Sequence, residues 1–192
     1  WRQNFLTATT AGTLMGVAYV DKKAAQSEHS PVYSLWAEKT GLIKREFSEN
    51  AAMTHGSNTE ETARKAFIES TGVNVSPMCI ESTKYPFLAA SLDGINEELK
   101  IGLEIKCPMY YNSFKKQKEK LPAYYYSQVQ FQMLCVNYER WFYFSYFNNS
   151  ELLYEVPRDE KFQEELLWRC MHFQAAVNNR LVPDEKYFVP YQ

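Results

Sequence analysis

Asp93, Glu104 and Lys106 are the side chains of this 192-residue chain that type and spacing best fit for chemistry on a phosphate ester. The run 101–107 reads Ile-Gly-Leu-Glu-Ile-Lys-Cys. Alternate side chains of a strand share a face. Gly102, Glu104 and Lys106 would therefore point one way, while Ile101, Leu103, Ile105 and Cys107 point the other and can be buried. Asp93 closes the apolar run 87–92, and a turn over 94–96 would return the chain so that Asp93 meets Glu104. Two close carboxylates raise one another's pKa unless a divalent cation stabilises both as anions. Oxygen-only donors suit Mg²⁺ or Mn²⁺ rather than zinc. Such an ion polarises a phosphodiester and acidifies a bound water, and Lys106 would orient that water or offset charge on the phosphate oxygens. The alternative is a surface hairpin with a solvated acid and lysine, since acid-x-Lys is a common tripeptide.

Two helical segments bear on that choice. In the segment from His55 to Arg64, residues three, four and seven places apart share a face, so Glu60 lies in line with Ala63, Arg64 and Phe67. A carboxylate on that half-apolar side needs a partner, whereas Glu61, about 100° further round, is solvated. A second helix begins near Pro122 with a core stripe of Tyr125, Val129, Met133 and Val136, which leaves Gln128 and Gln132 beside it. Either glutamine alone reads as solvent-facing.

Four motifs follow in order: Gly56-x-x-x-Glu60-x-x-Ala63-Arg64, Ser91-x-Asp93-Gly94, Gly102-Leu103-Glu104-Ile105-Lys106-Cys107-Pro108, and Tyr125-x-x-Gln128-Val129-Gln130. Together they resemble the lambda exonuclease and YqaJ viral recombinase family, across roughly residues 50–147. The resemblance implies an α/β fold with a restriction-endonuclease-like core, a central mixed β-sheet flanked by helices. It implies a Mg²⁺-dependent DNA exonuclease, with Mn²⁺ able to substitute, digesting double-stranded ends 5′ to 3′ to leave single strands for an annealing protein. A homotrimer acting in the cytoplasm of a bacterial host, encoded by a phage or prophage, is also implied. Asp93, Glu104 and the backbone carbonyl of Ile105 would be metal ligands, and Glu60 would help hold a second ion. Lys106 would position the nucleophilic water, and Gln128 would support Lys106 or the phosphate.

At the start of the chain, Trp1 and Thr10-Ala11 fit the family pattern, but Phe5 stands where a phosphate-binding basic residue is expected and Gly12 where a serine is. Asn112 occupies another expected arginine position. Ser91 and Thr10 remain as phosphate contacts, and Arg2, Lys115 or Lys116 are the available substitutes. Digestion polarity is thus left open. Two other functions stay in view: a structure-specific or restriction-type endonuclease, and a catalytically silent DNA-binding or assembly module.

The elements that must position these residues are legible in the apolar patterning. Helices are expected around 10–17, 31–38, 49–70, 122–137 and 160–178, and strands near 75–82, 87–93 and 101–107. The aromatic run 140–147 reads as a central strand buried on both faces rather than a base-stacking platform, with an edge strand at 151–156. One domain is expected: a helical part over about 1–48, a catalytic core over about 49–157 and a closing helix over about 158–180. The chain opens on Trp1 rather than Met, so a trimmed start is expected.

Composition excludes several classes. No apolar run is long enough to span a bilayer. A glycine-rich phosphate loop is missing, and His29, His55 and His172 lack zinc-like spacing. Cys79, Cys107, Cys135 and Cys170 are scattered, as reduced buried thiols of a cytosolic protein would be. Net charge is −2, so affinity for a polyanion would have to be local. Lys100, Lys106, Lys115, Lys116, Lys118 and Lys120 offer a phosphate track, the alternative being that 115–120 is a solvated loop or helix end.

Overall fold

The computed structural model describes residues 2–18, 29–44 and 50–191. Trp1 lies outside the described residues, as does the side chain of Arg2. Strand β1 (Leu6–Thr7) passes directly into α1 (Ala8–Leu14), where Thr10 Oγ1 accepts from Thr7 N–H at 3.3 Å and donates to Thr7 O at 2.7 Å. Ser30 caps α2 (Pro31–Lys39), accepting from Tyr33 N–H at 3.1 Å, with Pro31 in the first turn where no N–H is needed. Asn50 caps α3 (Ala51–Thr71) in the same way, and Gly72 ends it at φ 71°.

Strands β2 (Ser76–Glu81), β3 (Leu88–Asn96) and β4 (Ile101–Lys106) follow. Next come α4 (Tyr111–Glu119) and α5 (Ala123–Val136), then the hairpin of β5 (Arg140–Phe147) and β6 (Ser150–Pro157). Helix α6 (Glu160–Asn178) closes the fold behind the cap Asp159, which accepts from Phe162 N–H at 3.0 Å.

The six strands form one mixed sheet. Ala89 pairs with Thr7 and with Glu81, so β1 and β2 lie on opposite edges of β3; Ile95 pairs with Ser76 and with Gly102, so β4 lies opposite β2. It follows that β1 and β4 share one edge of β3, β1 along Leu88 and Ala89 and β4 along 94–96. Residues 90–93 on that edge face a break in the sheet. Parallel pairing of β4 with β5 and antiparallel pairing of β5 with β6 complete the sheet.

Each face of the sheet buries a core. Leu103, Ile105, Phe144 and Tyr146 pack against Ala63 and Phe67 of α3. On the other face, Trp141 and Tyr143 join a larger core with α1, α5 and α6, built from residues such as Leu14, Val129, Met133 and Leu166. Strand β5 is thus buried on both sides, as its aromatic run predicts.

Four expectations are corrected. The reversal after β3 falls at 97–100, not 94–96. Asn96 Oδ1 accepts from Leu99 N–H at 2.8 Å, and Lys100 takes φ 52°. Helix α1 starts two residues earlier than expected and is preceded by a strand. Residues 111–119 are helical, with Phe114 and Gln117 buried beneath an exposed lysine face. Finally, the cysteines are free, but only Cys135 and Cys170 are buried; Cys79 is exposed and Cys107 half-buried. Among the described residues, no helix is long and apolar enough to cross a membrane.

Candidate active site

The break in the sheet collects the predicted chemistry. Pairing between β3 and β4 ends at Gly94 and Leu103, and one step further along this register stand Asp93 and Glu104. Here a side chain replaces the ladder: Asp93 Oδ2 accepts from the Ile105 N–H at 2.7 Å. Because N–H and C=O of one strand residue share an edge, the Ile105 carbonyl also points into the break.

Strand alternation sends Leu103 and Ile105 toward α3 and turns Glu104 to the α5 side, where it is 1% exposed. Both of its oxygens are engaged there. Lys106 Nζ donates to Oε1, and Gln132 Nε2 donates to Oε2 at 2.6 Å. The Lys106 ammonium also lies 5.1 Å above the centre of the Tyr125 ring.

From the other side of the sheet, α3 reaches the same place through Arg64. Its Nε donates to the Asp93 carbonyl at 2.7 Å, and its Nη2 donates to Glu60 Oε1 at 2.5 Å. Arg64 thus ties Glu60 to the strand that carries Asp93. Glu61 is exposed and paired with Lys65 at 2.8 Å.

Burial and close charges perturb every titratable group of the cluster. Burial raises the Asp93 carboxyl above its ordinary value, against the pull of Lys106 and the Ile105 N–H. Burial, with Asp93 adding repulsion, pushes Glu104 up to about 7 despite Lys106. Glu60 is raised by burial and then by Asp93, with Arg64 opposing. Burial alone would lower the Lys106 ammonium, but Glu104 and Asp93 outweigh it and hold it above its usual range. Burial thus opposes the charged form of all three carboxyls, and Lys106 and Arg64 offset part of the negative charge they would carry as anions.

The donor set fits a hard divalent cation. Among the described residues, no three His, Cys, Asp or Glu side chains converge closely enough to enclose an ion. An ion would rest on Asp93, Glu104 and the Ile105 carbonyl, with water or phosphate completing its shell, which is the Mg²⁺ pattern.

Other predicted residues lie apart from this cluster. Gln128 is half-buried on α5 and its side chain makes no hydrogen bond among the described residues; the glutamine that reaches Glu104 is Gln132, one turn further on. Thr10 uses its hydroxyl to close the first turn of α1. Ser91 is exposed on β3, two residues before Asp93, with Cys79 Sγ 3.7 Å from its hydroxyl. Lys115 and Lys116 are exposed on α4, as is Asn112. Arg64 and Gln132 are the contacts that patterning missed. Arg64 stood within a motif without a role, and Gln132 stood beside an apolar stripe on a helix whose residues 129–135 are all buried.

Solved structures share this architecture. An alkaline exonuclease from Laribacter hongkongensis, LHK-Exo, superposes with a TM-score of 0.75 at 22% identity, covering 93% of this chain and 90% of that one. The complex of LHK-Exo with dAMP gives 0.77 at 23% identity, with the same coverage. A phage related exonuclease from Haemophilus somnus 129PT gives 0.71 at 16%, covering 92% and 94%. The expected restriction-endonuclease-like fold, a mixed sheet flanked by helices, is therefore the fold found. No curated protein sequence matches the chain significantly. A family model, the YqaJ-like viral recombinase domain, matches residues 1–139, which places all of β1 to α5 within it, and the chain belongs to that family.

Proposed function

We propose that the protein is a Mg²⁺-dependent DNA exonuclease of phage recombination, digesting double-stranded ends 5′ to 3′ and leaving single strands for an annealing partner. The observation that carries this reading is the meeting of Asp93, Glu104 and Lys106 at the break between β3 and β4. Membership of a viral recombinase family and an exonuclease fold support it.

Asp93 and Glu104 would hold the ion with the Ile105 carbonyl, and Glu60 would serve a second ion. When bound, Mg²⁺ supplies Lewis-acid polarisation of the scissile phosphate and a water of lowered pKa. Lys106, which donates to Glu104 across the same strand face, would hold the attacking water by hydrogen bond and offset charge on the phosphoryl oxygens. Gln132 would keep Glu104 in place as a ligand through its bond to Oε2. Lys115 and Lys116 give an exposed cationic flank for the phosphate backbone, with Ser91 nearer the break and Gln128, Thr10 and Arg2 as further polar groups of the substrate path. A homotrimer working in the bacterial cytoplasm would keep such an enzyme on its duplex despite a net charge of −2.

The test uses linear duplex labelled at one 5′ or one 3′ end, with a supercoiled circle alongside, in Mg²⁺. Release of 5′-labelled mononucleotide with the circle intact is expected. Nicking of the circle would replace the proposal with an endonuclease, and binding without turnover in any divalent metal would replace it with a silent module.

A further inference from the structure

Strand β4 ends at Lys106, and the chain then crosses four residues to α4, placing two large rings in solvent: Tyr110 is 65% and Tyr111 59% exposed. Their location comes from the register. Lys106 pairs with Ser145, so Phe147 stands two residues past that pair, at the carboxyl end of β5. Tyr111 packs on Phe147 with ring centres 6.0 Å apart, and Phe114 stacks on the same ring at 5.7 Å and 26°. Tyr111 is thus propped from below with its outer side open, while Tyr110 makes no ring contact among the described residues. At most about 14 Å of chain separates Tyr110 from Lys106.

The charged side chains nearest Tyr111 along α4 are lysines. Tyr111 and Lys115 stand four residues apart on one helix face, and Lys116 follows; both lysines are exposed and make no ion pair among the described residues. Tyr110 also gives α4 no side-chain cap, and while Ser113 N–H donates to the Tyr110 carbonyl at 3.0 Å, the N–H groups of Tyr111 and Asn112 are left aimed back along the loop from Lys106. A propped ring, a cation one turn away and uncapped amides together complement one nucleotide: a base to stack and its phosphate to neutralise.

We propose that Tyr111, flanked by Tyr110, is a base-stacking platform that receives an unpaired nucleobase of the DNA strand next to the scissile bond, with Lys115 taking the adjoining phosphate. The assignment rests on the nucleic-acid part of the proposed function and adds a strand-separating contact to it. An exposed ring costs little ordering entropy when already supported, so stacking here acts on affinity for frayed or single-stranded ends rather than on the chemical step.

The test titrates the full chain, in EDTA so that nothing is cut, into a duplex with a short single-stranded end carrying 2-aminopurine. Wild type is expected to quench the fluorophore. Tyr111→Ala or Tyr110→Ala should lose quenching and weaken binding by roughly 5- to 150-fold per base lost, whereas Tyr111→Phe keeps both. Lys115→Ala should weaken binding and flatten its salt dependence while quenching persists at saturation. If both alanine variants bind and quench as wild type does, the platform is wrong. Cleavage of the same duplex in Mg²⁺ separates the two ideas: cutting with tyrosine-independent quenching overturns the platform alone, and tyrosine-dependent quenching without cutting sustains the platform and overturns the nuclease.

Discussion

Gln132 donates to Glu104 at 2.6 Å, a contact between two side chains that solvent does not reach. The other end of the amide, Oε1, has no partner and is buried, as is the hydroxyl of Ser145, which pairs with Lys106 across β4 and β5. An amide held this way with one end unpaired is worth its cost only if it fixes Glu104. Gln132→Leu should therefore weaken Mn²⁺ binding by roughly 10- to 100-fold, the usual effect of removing a partner of a metal ligand. The melting temperature should change little, because the apolar side chain also removes the buried Oε1. Calorimetric titration with Mn²⁺ and a melting curve on the same preparation test both; unchanged affinity would sink the role.

Metal-free protein carries the cost of a buried carboxylate. With Glu104 raised to about 7 by burial, the folded chain keeps a proton that the unfolded chain, at the ordinary value of 4.5, has already released. This contribution is fully present below the unfolded value and is lost as pH rises through the folded one. In EDTA, wild type should lose melting temperature relative to Glu104→Gln between about pH 4.5 and 7. Thermal melts across that range decide it, and parallel curves would refute the shift.

Gly102 shares the Glu104 face of β4, and a Cβ there would meet the Trp141 indole at 2.1 to 2.3 Å. Trp141 is fully buried and cannot swing away. Gly102→Ala should cost about 1–3 kcal/mol, the range for overpacking a filled core. Urea denaturation measures it directly, and a midpoint equal to wild type would show that the indole has room.

Patterning found what obeys a simple period. Alternation along 101–107 separates Glu104 and Lys106 from Leu103 and Ile105 correctly, and the helical repeat puts Glu60 in line with Ala63 and Phe67. It failed where one residue type has two uses. Gly94 reads as a turn, yet its negative φ is ordinary and its smallness serves packing, since a Cβ would lie 2.8 Å from Val75 Cγ2. Helix α5 is buried on nearly every side, so a polar residue off the apolar stripe is still inside; Gln130, which accepts from Asp159 N–H at 3.1 Å and donates to Pro157 O at 2.9 Å, is hidden for the same reason as Gln132. The break in the sheet depends on β1, a two-residue strand too short to have a period.

The cysteines should divide by exposure. Cys79 is exposed and should react promptly with a thiol reagent in native protein. Cys107, its thiol pushed up to about 12 by burial and by Glu60 and Asp93, should react slowly. Cys135 and Cys170 are buried in apolar surroundings that raise both thiols, and they should become reactive only in denaturant. Timed reaction with a chromogenic disulfide, followed by mass mapping, tests this order; native modification of Cys170 would contradict the packing of α6.

Arg64 makes two contacts at once, one to the Asp93 carbonyl and one to the Glu60 carboxylate. A guanidinium holds two such directions in one rigid plane, whereas an ammonium on a flexible stem is a point charge that cannot reproduce the fork. Arg64→Lys keeps the charge and removes the geometry. Because Glu60 is 38% exposed, the pair adds little to stability, about 1 kcal/mol at most. Its effect should instead fall on the placement of Asp93, where an error of an ångström costs on the order of 100-fold in rate. Arg64→Lys should therefore lower kcat for cleavage of linear duplex by roughly 10- to 100-fold while leaving the melting temperature near that of wild type. A variant that cuts at the wild-type rate would show that α3 merely packs against the sheet, and that Glu60 reaches its position without the arginine.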